Sequence, residues 1–473
     1  MWSRMHSLSD LERQILMKIK PSHDEYRLIL GSFEKISDVI KAVLAENNIS
    51  AEVTLQGSVA HDTWLSGDWD LDIFVLFPEK WTREDIEKEG FRLLLESAKR
   101  IGNYELRYAE HPYIRVKLGK VEADLVPALN LSDLSATKTS VDRTPFHTKY
   151  INATLSDEQK DHVRLLKKFM KAIGVYGAEV KTHGFSGYAV ELLIGVYGDF
   201  KSTLKEASTW QPPIFINTMG ESFTKEIKDL LLSRYPDSYI YMPDPVDPRR
   251  NLGASVSLKS LATFILASWC YMRNPSVEFF VETIEPSLED LVNILDKRCI
   301  LFVIYELPEA LPPDVIWGEI QRVSSRLSNY LEIFGLNVVD HSVWSNGKDI
   351  AIIGIELESC WLSSYKLYRG PCISHEKERI TNFIQAHLGK GYGPWIDRDG
   401  CLSSLDRRRY TDAVELITSR WKDYSVSPHL KNLKPTVEVA SKDVVIDLLM
   451  KGAGAWLSEF ASKMPKWMEK CIS

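Results

Sequence analysis

Asp70 and Asp72 are the residues whose type and spacing could do chemistry, and they lie in the stretch Leu55 to Pro78, LQGSVAHDTWLSGDWDLDIFVLFP. The run Asp70 to Phe77 reads as a strand, in which successive side chains point to opposite faces. Leu71, Ile73 and Val75 then share one face, and Asp70, Asp72 and Phe74 the other. Two carboxylates on one face repel each other, and desolvation penalises both unless a cation sits between them. A divalent metal would resolve that conflict. Upstream, the alternating stretch Ala51 to Gln56 gives way to Gly57 and Ser58. A strand should end there in a turn or helix start whose free backbone N–H groups can hold phosphate.

A lone Asp-x-Asp is more often a solvated strand edge, and a lone Gly-Ser only a turn. In this order, however, the arrangement resembles the nucleotidyltransferase superfamily of DNA polymerase beta, poly(A) polymerases and CCA-adding enzymes. That superfamily has a third carboxylate on a later strand. In Lys120 to Pro127, alternation puts Val121, Ala123 and Leu125 on the core face and both Glu122 and Asp124 on the other. Alternation leaves the two acids open; the resemblance selects Asp124.

The segments Tyr108 to Tyr113 (YAEHPY) and Asp142 to Thr148 (DRTPFHT) narrow this further. They resemble the archaeal, class I type of CCA-adding enzyme, a tRNA nucleotidyltransferase that builds the 3′-terminal CCA from CTP and ATP. The resemblance implies Asp70, Asp72 and Asp124 as catalytic metal ligands for Mg2+, and Ser58, His147, Lys167 and Tyr176 as contacts to the triphosphate and sugar. It also implies a base-reading role for Arg250, in the stretch YIYMPDPVDPRRN from Tyr239 to Asn251. A guanidinium is a rigid donor fork suited to the acceptors of a base. The sequence departs from the family at His61, three residues after the serine, where an arginine usually meets the triphosphate. His61 is expected at the nucleotide in its place, where a neutral imidazole supplies less charge.

These residues need elements to hold them. Leu8, Leu11, Ile15 and Ile19 mark an amphipathic helix, Asp24 to Asn47 a second, and Trp81 to Ile101 a third with Thr82 as its N-cap. Ser156 to Gln159 is a capping box opening a helix to about Ile173. The apolar helix Ala189 to Tyr197, which carries Glu191, reads as core, and a helix is expected over Leu252 to Met272. Further on, a strand at Cys299, a long helix at Asp314 and two strands joined by Asn346-Gly347 resemble a ferredoxin-like or RNA-recognition unit. Arg407, Arg408 and Arg409 form a basic run beside Tyr410. That run is either a solvated face or a contact to the phosphates of a tRNA acceptor arm.

A chain of 473 residues is too long for one core. The expected architecture is α+β and multidomain: a nucleotidyltransferase head with a mixed sheet (1–148), a helical central domain (149–286), a body (287–363), a tRNA-binding tail (364–430) and C-terminal helices packing on the body (431–473). A net charge of −7 excludes a protein that coats nucleic acid non-specifically. No apolar run reaches bilayer length, and Met1 to Lys20 lacks the features of a signal peptide, so no membrane partner and a cytoplasmic location are expected. The six cysteines show neither a Cys-x-x-Cys pair nor a nearby His pattern, and are expected as buried thiols without structural zinc or a disulfide framework. Partners are the tRNA acceptor arm and 3′ end with CTP and ATP; a homodimer is one option for the oligomeric state. Two other functions share the head: a poly(A) polymerase-like terminal nucleotidyltransferase, and a non-catalytic RNA-binding protein.

Overall fold

The computed structural model describes residues 7–108, 112–134, 137, 139, 141–281 and 287–472. Ala109, Glu110 and His111 of the family segment, and Pro286 at the expected start of the body, fall outside the described residues. Backbone contacts divide the chain into two units, Met1–Thr283 with Met464–Ser473, and Ile284–Lys463.

In the first unit, α1 (Asp10–Ile19) and α2 (His23–Glu46) each open on a serine capping box, Ser9 with Glu12 and Ser22 with Glu25. These pairs satisfy N–H groups that a helix start leaves unbonded. The five-stranded sheet is built from β1 (Glu52–Gln56), β2 (Asp70–Pro78), β3 (Tyr104–Tyr108), β4 (Pro112–Leu118) and β5 (Val121–Asn130), in the order β1-β2-β5-β4-β3. Only β2 and β5 run parallel. Between β1 and β2 lies the single turn α3 (Gly57–Ala60). After β2, α4 (Arg83–Asp85), a π-helical turn at Ile86–Gly90 and α5 (Phe91–Ile101) form the expected third helix, capped by Thr82. The alternation in β2 holds. Leu71, Ile73, Val75 and Phe77 enter the core with residues of α2 and α5, while Phe74 and Leu76 join Val126 and Ala128 on the other face.

The helical part that follows contains α6 (Thr144–Thr154), α7 (Asp157–Ala172), α8 (Gly187–Tyr197), α9 (Phe200–Ala207), β6 (Ile214–Phe215), α10 (Lys225–Arg234), β7 (Ile240–Tyr241) and α11 (Leu258–Arg273). Phe169, Phe200, Phe264, Tyr271, Phe279 and Phe280 lie in its core. The helix expected from Leu252 starts later, at Leu258 behind its N-cap Ser257. The reason is Asn251. Its side-chain oxygen accepts from the N–H groups of Met242 and Gly253, which holds the preceding residues in a non-helical loop.

The second unit opens with α12 (Leu288–Leu295), β8 (Cys299–Glu306), α13 (Pro313–Phe334), β9 (Val338–Ser345) and β10 (Ile350–Leu357), the last two joined through Asn346-Gly347 as expected. An insertion follows: β11 (Tyr365–Cys372), α14 (Lys377–His387), β12 (Gly391–Ile396) and β13 (Cys401–Arg407), a three-stranded sheet in the order β11-β13-β12. Periodicity missed these strands because Gly370, Pro371, Gly391, Gly393 and Pro394 interrupt their side-chain pattern. The chain returns through α15 (Ala413–Ser419) and α16 (Trp421–Tyr424) to β14 (Thr436–Val439), giving the antiparallel order β14-β8-β10-β9. This is the β-α-β-β-α-β connectivity of a ferredoxin-like unit. Then α17 (Lys442–Met450) and α18 (Gly454–Ser462) bury Leu448, Leu457 and Phe460 with Phe302 and Ile352. An RNA-recognition sheet needs that face open, so base stacking on it is excluded here.

Two expectations are corrected. Of the C-terminal segment expected on the body, Lys466–Cys471 belongs to the first unit, where Trp467 is buried near Phe279 with ring centroids 5.9 Å apart. The cysteines are not thiols: Cys270–Cys471, Cys299–Cys360 and Cys372–Cys401 are disulfides, and no cysteine is free among the described residues. Their partners lie 201, 61 and 29 residues apart, far beyond the local spacings a sequence pattern can reveal. Among the described residues, no helix is long and apolar enough to cross a membrane.

Candidate active site

The parallel register of β2 and β5 sets Asp72 beside Asp124 and Asp70 beside Glu122, so the acids read from alternation meet on one sheet face. β1 approaches from the other side, with Gln56 opposite Asp72. Burial, and then the charges of Asp124 and Asp70, push the Asp72 carboxyl up to about 6; burial also raises Asp70. Both shifts express the need for a cation. The oxygen Oε1 of Gln56, the residue opposite Asp72, is buried and accepts no hydrogen bond from the described residues. Hard carboxylate oxygens with a spare amide oxygen suit a divalent metal such as Mg2+. Among the described residues, however, no three acidic, His or Cys side chains already stand placed to hold an ion. Asp124 is engaged by Arg115 on β4, whose Nε and a terminal nitrogen each donate to it at 2.7 Å, to Oδ1 and Oδ2.

Gly57 sits at φ +66°, and a Cβ there would lie 2.0 Å from Oδ2 of Asp72. Only glycine lets the chain turn so close to the carboxylate. The turn places Ser58 in α3, directly after the strand that flanks Asp72. Gly57→Ala is expected to displace Asp72 and cost about 10²-fold in nucleotide incorporation, with the circular dichroism spectrum preserved.

Glu191, on the otherwise apolar α8, is the hub of a buried cluster. One of its oxygens accepts from Thr63 (2.5 Å) and Lys167 (3.1 Å), and the other meets Nδ1 of His61 at 2.9 Å. The remaining His61 nitrogen meets Thr148 at 2.9 Å. Thus His61 and Lys167, both expected at the triphosphate, come together, but His61 has each ring nitrogen engaged within the protein. Burial alone would raise the Glu191 carboxyl; Lys167 and His61 outweigh it and hold the group at about 2. The Tyr176 hydroxyl lies beside this cluster, where a Cβ on Gly187 would come within 2.9 Å of it.

Asp244 is a second hub, fully buried. It meets Nε2 of His147 at 2.8 Å, accepts from the Tyr188 hydroxyl at 3.3 Å and from the Val246 N–H at 2.9 Å, and lies 3.7 Å from Arg250. His147 also stacks on Tyr188, with centroids 4.1 Å apart. One carboxylate therefore gathers His147 and the partly exposed Arg250. The basic run of the second unit divides. Arg408 donates to the Phe334 carbonyl at 2.7 Å, closing the end of α13, while Arg407 and Arg409 are exposed.

The chain matches the family models "Nucleotidyltransferase domain" over residues 36–147, "tRNA nucleotidyltransferase, second domain" over 161–281, and "CCA-adding enzyme, C-terminal domain" over 297–441. It is 38% identical over 459 residues to the CCA-adding enzyme of Sulfurisphaera tokodaii, covering 97% of this chain and 100% of the relative. The CCA-adding enzymes of Saccharolobus islandicus and Saccharolobus solfataricus are 40% identical over 467 residues, with the same coverage. The chain belongs to the CCA-adding enzymes. It is a tRNA nucleotidyltransferase with the expected α+β architecture. A solved Cid1 poly(U) polymerase bound to MgATP overlaps 57% of the chain at 14% identity and a TM-score of 0.46, a likeness too distant to bear on substrate.

For a CCA-adding enzyme, the sequence pointed to the acids and to the residues expected at the nucleotide but passed over what holds them: Arg115, Thr63, Thr148, Glu191 and Asp244. Glu191 carried a signal, since a lone carboxylate in GYAVELLIGVY is costly to bury without a partner. Arg115, on a strand of alternating polarity, carried none.

Proposed function

We propose that this chain adds C, C and A to the 3′ end of tRNA without a template, using CTP and ATP and releasing pyrophosphate. The observation that carries the reading is Asp72 set across from Asp124 on parallel strands, with the Gly57-Ser58 turn against it. Bound Mg2+ would supply charge stabilisation at the attacking and leaving oxygens of the displacement. Asp70 and Asp72 would hold the ion on the triphosphate side. Asp124, shared with the primer side, accepts the proton of the 3′-hydroxyl. Ser58 contacts the triphosphate through its hydroxyl and N–H, and Lys167, Tyr176 and His147 line its phosphates and sugar. His61 contributes through Glu191, by fixing the carboxylate that orients Lys167. Arg250, held near Asp244, reads the base. Exposed Arg407 and Arg409 meet phosphates of the acceptor arm in the cytoplasm.

The test is incubation with Mg2+ and tRNA lacking its 3′ end, giving labelled CTP or ATP alone and then both. Two C residues followed by one A are expected. A long A tract would establish a poly(A) polymerase instead, and tight tRNA binding with no incorporation a non-catalytic RNA-binding protein. Arg250→Ala is expected to reduce discrimination against UTP and GTP by about 10- to 100-fold, because a site built to pair with a base rejects those lacking the partner groups. Full discrimination in that variant, measured as kcat/KM ratios, would remove Arg250 from base selection.

A further inference from the structure

Arg115 is the charged group closest to the acids that the proposed reaction leaves without a role. It stands opposite Asp124 in the antiparallel pairing of β4 and β5. Its guanidinium clasps both oxygens of Asp124 at 2.7 Å and reaches Glu122 at 3.2 Å. Both side chains are only partly exposed, 24% for Arg115 and 19% for Asp124. Such a two-pronged pair fixes geometry as well as charge. Asp72, on the neighbouring strand, lies beside the same carboxylate. A guanidinium clasped on both oxygens takes one lone pair of each and offsets the carboxylate's charge, so it competes with a metal for Asp124.

We propose that Arg115 is a positioning residue that occupies Asp124 until the primer-side ion arrives, so that the metal site assembles in two stages, first at Asp70 and Asp72 and then at Asp124. The inference rests on the metal reading given above. Its physical consequence is protection: with Asp124 held, the bound triphosphate meets no activated hydroxyl or water before the RNA end is in place.

The experiment titrates Mn2+ into the full chain, without nucleotide or RNA, and counts free ion by electron paramagnetic resonance. The wild type is expected to bind one ion and a second about tenfold more weakly or worse, and Arg115→Gln to tighten the second by about tenfold, from the loss of a competing charge in contact with the ligand. Asp124→Asn should abolish the second ion in either background. Lys117→Gln removes a cation from the same strand, one paired with Glu122 at 2.5 Å, and should leave the isotherm unchanged. If Arg115→Gln does not fold, Arg115→Lys, which keeps the charge and loses the fork, should give an intermediate affinity. Binding by the wild type that neither Arg115 variant alters would overturn the role of Arg115 alone, as would an equal gain in Lys117→Gln. Absence of Mn2+ binding in wild type and variants alike would overturn the metal reading and this inference with it.

Discussion

Asp72→Asn is expected to lower nucleotide incorporation by about 10³-fold or more while raising the thermal midpoint of the metal-free protein. The two effects have one cause. The Asp72 carboxyl is pushed up to about 6 by burial and by the neighbouring charges of Asp124 and Asp70. At neutral pH it is therefore ionised at a cost to the fold, and an amide of the same shape removes that cost. The gain should be about 1–2 kcal/mol, allowing for the partial exposure of the site. The same substitution removes a proposed metal ligand, and with it the charge stabilisation of the transition state. Single-turnover incorporation and a melting curve in chelator measure the two sides. A variant that loses activity and stability together would mean that Asp72 supports the fold, against the reading of the site.

Glu191→Gln should act in the opposite sense on stability. Glu191 and Lys167 are each 2% exposed, and the carboxylate is the partner that makes burial of the ammonium tolerable. Removing one member of a buried ion pair strands the other, at about 3–5 kcal/mol. Replacing both by apolar residues, Glu191→Leu with Lys167→Met, should restore much of that stability while leaving nucleotide binding lost. The Glu191 carboxyl is held at about 2, below its ordinary 4.5, chiefly because Lys167 and His61 outweigh the penalty of burial. A depressed carboxyl stabilises the fold above its unfolded pKa, and that contribution is lost as pH falls from about 4.5 toward 2. Urea midpoints of wild type and Glu191→Gln should thus differ most at neutral pH and converge near pH 2. A constant difference across that range would detach the effect from the charge of Glu191.

The sequence by itself determined what depends on neighbours along the chain. Alternation told which side chains of Asp70 to Phe77 share a face, because a strand leaves them no other choice. Thr82 and Ser156 announced helix starts, because a cap acts on N–H groups two or three residues away. The Asn346-Gly347 hairpin was legible for the same reason. Family resemblance added the roles proposed for Asp124, Lys167 and Arg250, which no local rule supplies. Only the tertiary structure decided the partners. Glu191 reaches His61 across 130 residues and Asp244 reaches His147 across 97, and neither pairing leaves a spacing in the sequence. The clasp of Arg115 on Asp124 required the register of β4 on β5, and the disulfides required their chains to meet. A side chain's face is a local property of the backbone, whereas its counter-charge is whatever the fold brings within about 3 Å, and that is settled only when the core closes.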